Sequence, residues 1–290
     1  MIEIEFNKED LIKSPMNYVG GKYKLLPQIL PLFPKKIDTI VDMFCGGLDI
    51  AINVNAQKII CNDIITPVIN MYQKFQNTNA LQVVTHIENN INKYNLNKIN
   101  KDGYLKLREE YNQNKNPLDL ITLVTYCYNN QIRFNSKWGF NRAFGENRSE
   151  FNPTMRENLI KTINKINNTN IHFINKSYLE IDFSELTSND FIYADPPYLI
   201  TNADYSIQAL WNEEKEIKLL ELLDKLDKNH IKFALSNVLE HDGKVNEILV
   251  NWSKKYYINY LNHTYGNANA DKKVKKGKSV EVLITNYIKK

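Results

Sequence analysis

The sequence is poor in the features that mark several large classes of protein. It holds 3 cysteines in 290 residues. Cys45, Cys61 and Cys127 are odd in number, widely spaced and form no CxxC pair, which argues against a disulfide framework or a zinc site and for a reducing compartment. The histidines, His86, His172, His230, His241 and His263, show no ligand spacing, so no metal is expected. No apolar run is long enough to span a bilayer, and the opening MIEIEFNKED is acidic where a secretory signal would be apolar. The expectation is a cytoplasmic protein without a membrane partner. No unit recurs at a fixed period, which argues against solenoids and propellers. Strong charge of one sign is also missing: 37 basic less 33 acidic residues leave a formal +4. That is compatible with a nucleic-acid partner but does not require one.

What is present is ordinary globular composition, 43% hydrophobic and 24% charged, in a chain longer than one usual domain. Its richness in Asn, Lys and Ile reads as the imprint of AT-rich coding, with little chemistry in it. Apolar, β-branched stretches predict strands at Ile37–Phe44, Lys58–Asn62, Ile171–Asn175, Asp190–Ala194, Ile231–Leu235 and Val280–Asn286. Helices are expected after Leu48 through Asn55, around Tyr104–Tyr111, and at Glu213–Leu226, where leucines recur at helical spacing. The fold class is therefore α/β, a doubly wound and mainly parallel sheet. Residues 69–167 lack parallel-strand texture and read as a mostly helical insertion between core segments 1–68 and 168–290.

The sharpest motif is Asp195-Pro196-Pro197-Tyr198 at the end of a predicted strand. At roughly 5% usage per residue, a given tetrapeptide falls in a chain this long about once in 500 cases. Its place suits a ligand site, because open α/β sheets bind beyond the carboxyl ends of their strands. Two prolines supply no N–H and leave carbonyls free to accept, Asp195 adds a carboxylate, and Tyr198 adds a flat face. The set suits a planar group bearing an exocyclic amine; the plain alternative is a rigid turn.

Phe44-Cys45-Gly46-Gly47 follows the first strand and lets backbone approach a ligand, though it is not a GxGxxG fingerprint. Asp63, at the tip of the second strand, is placed to take ribose hydroxyls or to cap a helix. Asn17-Tyr18-Val19-Gly20-Gly21-Lys22 resembles the tail of a P-loop. It lacks the earlier glycine, has Tyr23 in place of Ser or Thr, and follows no strand, so nucleoside triphosphate binding is rejected.

In this order, from Met16 to Asn286, these motifs resemble the Dam-type DNA adenine N6-methyltransferases, the alpha-ordered group of the D12 class. The resemblance implies a Rossmann-like core, S-adenosylmethionine as cofactor, and transfer of its methyl group to the N6 amine of an adenine flipped out of a double-stranded site, with GATC as first guess. It assigns catalysis to Asp195, Pro196, Pro197 and Tyr198. Cofactor contacts fall to Tyr18, Gly21, Lys22, Phe44, Cys45, Gly46, Gly47, Asp63, Ser177, Tyr178 and Asp195. Leu48 and Asp49 stand where many members carry a further small residue, and Tyr18 where many carry Trp. Within the insertion, Tyr128–Asn135, followed by Gly139-Phe140-Asn141 and Phe144-Gly145 in the aromatic stretch Tyr126–Phe144, looks like the family's β-hairpin, which inserts side chains into duplex DNA. Tyr128, Asn129, Gln131, Arg133, Asn135, Lys137 and Asn141 are its candidate DNA contacts, with Arg133 suited to guanine; an ordinary surface loop is the alternative. Ala143 departs from a Pro found in GATC-specific members. Lys272, Lys273 and Lys275 could follow phosphates or be merely solvated.

No cysteine lies in a Pro-Cys pair, which disfavours cytosine C5 methylation. Asp195 stands where cytosine N4 enzymes typically carry Ser and protein glutamine methyltransferases Asn. Two alternatives stay open: an RNA or protein methyltransferase on the same core, and a non-catalytic DNA-binding scaffold. A cognate restriction endonuclease is expected as a functional, not physical, partner.

Overall fold

The structure is a computed structural model that describes residues 10–201, 211–262 and 279–288. Lys272, Lys273 and Lys275 lie outside the described residues.

The six apolar strand signals join two strands that were not expected, β6 and β7, in one eight-stranded sheet of order β3-β2-β1-β4-β5-β8-β7, with the two-residue β6 (Lys244–Val245) paired to β5. β1 (Thr39–Asp42), β2 (Lys58–Asn62), β3 (Ile171–Ile174), β4 (Phe191–Ala194) and β5 (Lys232–His241) run parallel. β8 (Ser279–Thr285) lies antiparallel between β5 and β7 (Tyr257–Leu261). Alternation along the strands divides the core. Ile40, Ile59, Phe191 and Tyr193 pack on one face, and Val41, Ile192, Phe233 and Leu235 on the other. α7 (Glu213–Lys228) closes the second face with Leu219, Leu220, Leu223 and Leu226.

Residues 69–167 contribute most of α2 (Thr66–Gln76), then α3 (Ala80–Tyr94), α4 (Lys101–Asn114), α5 (Pro117–Tyr126) and α6 (Pro153–Asn167). These helices share one apolar cluster with the first face of the sheet. α5 packs against α2, α3 and α4 and is buried at every position from Leu118 to Tyr126. The aromatic stretch forms an antiparallel loop pinned by isolated bridges, Cys127 to Phe144 and Phe134 to Phe140, in place of a regular hairpin.

The helix expected from Leu48 to Asn55 does not form. Leu48 sits at φ +67°, outside the helical basin, and successive turns follow. Side chains fix them: the Tyr23 amide donates to Asp49 at 3.2 Å and the Ile12 amide to Asn53 at 2.7 Å. β5 extends to His241, six residues beyond the strand expected to stop at Leu235, because antiparallel β8 continues its pairing.

Candidate active site

β1 connects to β2 on one side while β4 lies on the other, so the sheet order reverses between β1 and β4. At their carboxyl ends is a cavity of about 820 Å³. Tyr18, Gly21, Lys22, Phe44, Cys45, Gly46, Gly47, Asp63, Ser177, Tyr178 and Asp195–Tyr198 all line it, as do Gln131 and Arg133 from the insertion.

The glycines are required by a side chain. A Cβ on Gly46, at φ +40°, would lie 2.8 Å from the Tyr18 ring, and one on Gly47 would lie 2.9 Å from the Tyr18 Cβ. Asp63 holds this loop: its Oδ2 accepts from the Gly46 amide at 3.0 Å and its Oδ1 from the Ile65 amide at 2.9 Å, just ahead of α2. The Tyr72 hydroxyl donates to the Gly46 carbonyl at 2.7 Å. Beside the loop stand Phe44, Tyr178 and Trp211, with ring centroids 5.5–5.7 Å apart. The Trp211 indole donates to Glu216 at 2.7 Å and the Tyr178 hydroxyl to the Lys215 carbonyl at 2.8 Å. Ser177 caps the turn that carries Tyr178.

The other end of the cavity is ionic. Lys22 Nζ lies 2.7 Å from Asp195 Oδ2, donates to the Gly20 carbonyl at 2.6 Å, and sits 5.1 Å from the centre of the Tyr198 ring. Burial pushes the Asp195 carboxyl up to about 6, with Lys22 opposing it. Asp42, the last residue of β1, is 2% exposed, and its Oδ1 has no hydrogen-bond partner. Burial first, and the Asp195 charge second, raise its carboxyl well above the ordinary range. Cys45 lines the cavity, but burial raises its thiol too, so it is no activated nucleophile. All three cysteines are free and buried.

Among the lining residues, Arg133 has its Nε buried without a hydrogen-bond partner. Arg142 donates to Gln131 Oε1 at 2.5 Å and to the Tyr128 carbonyl at 3.1 Å. The Tyr128 ring lies 5.4 Å from the Arg142 guanidinium and 4.7 Å from that of Arg148. Asn129, at φ +58°, offers its Oδ1 to Arg148, and its carbonyl accepts from Asn17. The Asn135 side chain closes its own turn, accepting from the Lys137 and Gly139 amides. Lys137 and Asn141 are exposed.

Sequence reasoning missed Asp42, Trp211 and Arg142. Asp42 had a signal, an acid inside an otherwise apolar strand. Trp211 had none, since only the fold brings it to Phe44.

Taken together, one end suits a flat aromatic group, Asp63 suits hydroxyls, and Asp42 and Asp195 suit positive charge. Fold and site define the class: a Rossmann-like methyltransferase core. Residues 18–267 match the D12 class N6 adenine-specific DNA methyltransferases, and the chain belongs to that family. It is similar to the type II methyltransferase M.FokI of Planomicrobium okeanokoites, 48% identical over 280 residues, and to the modification methylase StsI of Streptococcus sanguinis, 49% identical over 282. Each alignment takes in 95% of this chain but 43% of the relative, so the chain spans less than half the length of those two. The type II methyltransferase M1.LlaDCHI of Lactococcus lactis subsp. cremoris is 26% identical over 93% of this chain and 94% of its own.

Proposed function

We propose that this protein methylates the N6 amine of adenine in a specific double-stranded DNA site, with S-adenosylmethionine as donor. The observation that carries the reading is the shared cavity. An amine-accepting turn, an aromatic and acidic pocket, and an arginine whose Nε is buried without a hydrogen-bond partner all line one space. In this reading residues 69–167 recognise the target, and residues 1–68 and 168–290 form the catalytic core. Modification of sites cut by a cognate endonuclease is the role that the relatives' names support.

The donor fits the residues present: Phe44, Tyr178 and Trp211 for its purine, Asp63 for its ribose, and the partnerless Asp42 Oδ1 for the positive charge at its methionyl end. When bound, it supplies a methyl group on a cationic sulfur. The chain's task is the acceptor. An adenine in the duplex cannot reach the sheet edge and must be extruded, at a cost of a few kcal/mol. Tyr198 stacks on the extruded ring. The N6 lone pair is conjugated with that ring and is a poor nucleophile. Asp195 accepts one N6 hydrogen and the Pro196 carbonyl the other, which draws the nitrogen toward tetrahedral geometry and stabilises the positive charge it develops.

The test is methylation of plasmid DNA by the purified protein, with N6-methyladenine mapped by single-molecule sequencing and tritiated-methyl transfer to RNA and protein run alongside. Asp195→Ala should lower turnover by on the order of 10³-fold, with folding of the variant checked by its melting, since the buried Lys22 ammonium loses its partner. Because Asp195 must be ionised to accept and its carboxyl is pushed up to about 6, kcat/KM should fall as pH drops through that value. A variant of near wild-type rate, or label in RNA or protein instead of DNA, would overturn the reading.

A further inference from the structure

We propose that Arg142 is a positioning residue that fixes the polarity of the Gln131 side chain, so that Gln131 presents a hydrogen-bond donor to DNA and reads a base edge bearing an acceptor. The inference rests on the function proposed above and adds which end of Gln131 meets the base and what holds it there.

A glutamine amide carries an acceptor at one end and two donors at the other, and half a turn about its last torsion exchanges them with almost no change of shape. A glutamine free to turn therefore tells a donating base edge from an accepting one poorly. Arg142 removes that freedom. A guanidinium carries donors alone, and Arg142 Nη2 donates to Gln131 Oε1 at 2.5 Å. Turning the amide over would exchange a charge-assisted hydrogen bond for an NH2 group set against a cation. A base donor approaching the same oxygen would meet the guanidinium charge as well. The end that Gln131 has left for a base is its NH2, which donates to no described residue. Gln131 lines the cavity, as Arg133 does.

Arg142 can act as a lock because its own place is fixed. Its carbonyl accepts from the Tyr104 hydroxyl at 2.7 Å and from Arg108 Nη1 at 3.3 Å, both on α4. Its Nε donates to the Tyr128 carbonyl at 3.1 Å. Two residues before it, the Asn112 side chain of α4 holds Phe140 through both backbone groups, at 2.7 and 3.0 Å. The opposite arm of the loop is tied to α5, where the Val124 and Thr125 carbonyls accept from the Asn130 side chain at 3.2 and 2.9 Å. Two backbone bonds keep the arms in register: the Asn141 amide donates to the Arg133 carbonyl at 3.0 Å and the Tyr128 amide to the Ala143 carbonyl at 2.8 Å. The polarity of Gln131 is therefore set before DNA arrives, which spares the cost of ordering it on binding. In the major groove guanine offers O6 and N7, adenine N7 and thymine O4 as acceptors, whereas cytosine offers its N4 donor. The Gln131 NH2 admits the first three and opposes cytosine.

The experiment maps methylated adenine by single-molecule sequencing after treatment of plasmid DNA with variants of the full chain. Gln131→Ala and Arg142→Met should relax the same single base pair, each raising kcat/KM at sites with cytosine there about tenfold relative to the wild-type site. Arg142→Lys, whose ammonium is also a donor alone, should keep the wild-type choice. Gln131→Glu keeps an oxygen for Arg142 but has no donor, so it should turn the preference at that pair toward cytosine; it decides the matter if Arg142→Met does not fold. An Arg142→Met variant that keeps the wild-type choice, relaxes a different pair from Gln131→Ala, or loosens all positions alike overturns the proposal. A Gln131→Glu variant with no gain at cytosine does the same. A second readout needs no activity. NMR relaxation of the Gln131 side-chain amide in the ligand-free protein should show it ordered in the wild type and mobile in Arg142→Met, with the Gln131 backbone amide unchanged. An equally ordered side chain in both overturns the lock. If the wild-type protein leaves adenine unmethylated, the functional reading falls, and the relaxation measurement alone then upholds or overturns the lock.

Discussion

Asp42 shows, at the scale of one residue, how this site trades stability for use. Its Oδ1 is buried without a hydrogen bond, and its carboxyl is raised well above the ordinary value of 3.8. A carboxyl with a raised folded pKa binds more protons in the native than in the unfolded state, so its contribution to stability declines as pH rises above the ordinary value. Asp42→Asn removes that penalty at nearly constant shape. The ligand-free variant should melt about 2–3 °C above wild type at pH 8, with the gain shrinking as pH falls and gone below about pH 3, where the wild-type carboxyl is protonated in both states. Its affinity for S-adenosylmethionine should meanwhile fall roughly tenfold, because the acceptor for positive charge is gone. Calorimetric melting and titration check the two halves; a variant equally stable at both pH values would show that burial of the charge carries no cost.

At the scale of elements, the helices of residues 69–167 brace the loops at the end of the sheet as well as packing on its face. Tyr72 of α2 reaches the Gly46 carbonyl and stacks on Phe173 of β3 at 5.4 Å. Tyr72→Phe should therefore loosen the glycine loop, raising KM for the cofactor about three- to tenfold with kcat preserved; an unchanged KM in steady-state assays would refute the coupling. The strands here were legible because burial on both faces demands continuous apolar runs, as in IVD, KIIC and FIYA. The turn after β4 was legible because Asp195-Pro196-Pro197-Tyr198 is rare. The stretch after Leu48 was not, because its backbone is set by contacts of Asp49 and Asn53 with the distant amino-terminal loop. The asparagines, set aside as compositional bias, prove to be structural. Asn79, Asn100, Asn116, Asn152, Asn212 and Asn246 each cap a helix through the side chain. Trp211 joins the site only through tertiary packing, which periodicity cannot report.

For the whole molecule, the formal +4 says less than where particular cations sit, in the cavity lining or on the loop that contributes to it. Arg133 lines that cavity and Lys137 is solvent-exposed at the tip of the same loop, so the two should contribute to DNA binding in different ways. Lys137 is a point charge suited to phosphate. Each phosphate contact contributes about 0.9 to the slope of log affinity against log salt, whatever the base sequence. Lys137→Ala should therefore weaken specific and non-specific binding alike and flatten the salt dependence by about one unit. Arg133 offers a fork to a base edge, and its loss should cost about 1–3 kcal/mol of discrimination at one base pair. Arg133→Ala should consequently methylate sites degenerate at that position while keeping the wild-type binding to non-specific duplex. Salt-titrated binding, together with single-molecule maps of methylated adenine, separates the two. If Arg133→Ala flattened the salt slope with site choice intact, the loop would be an electrostatic guide alone, and the base reading would belong to other residues.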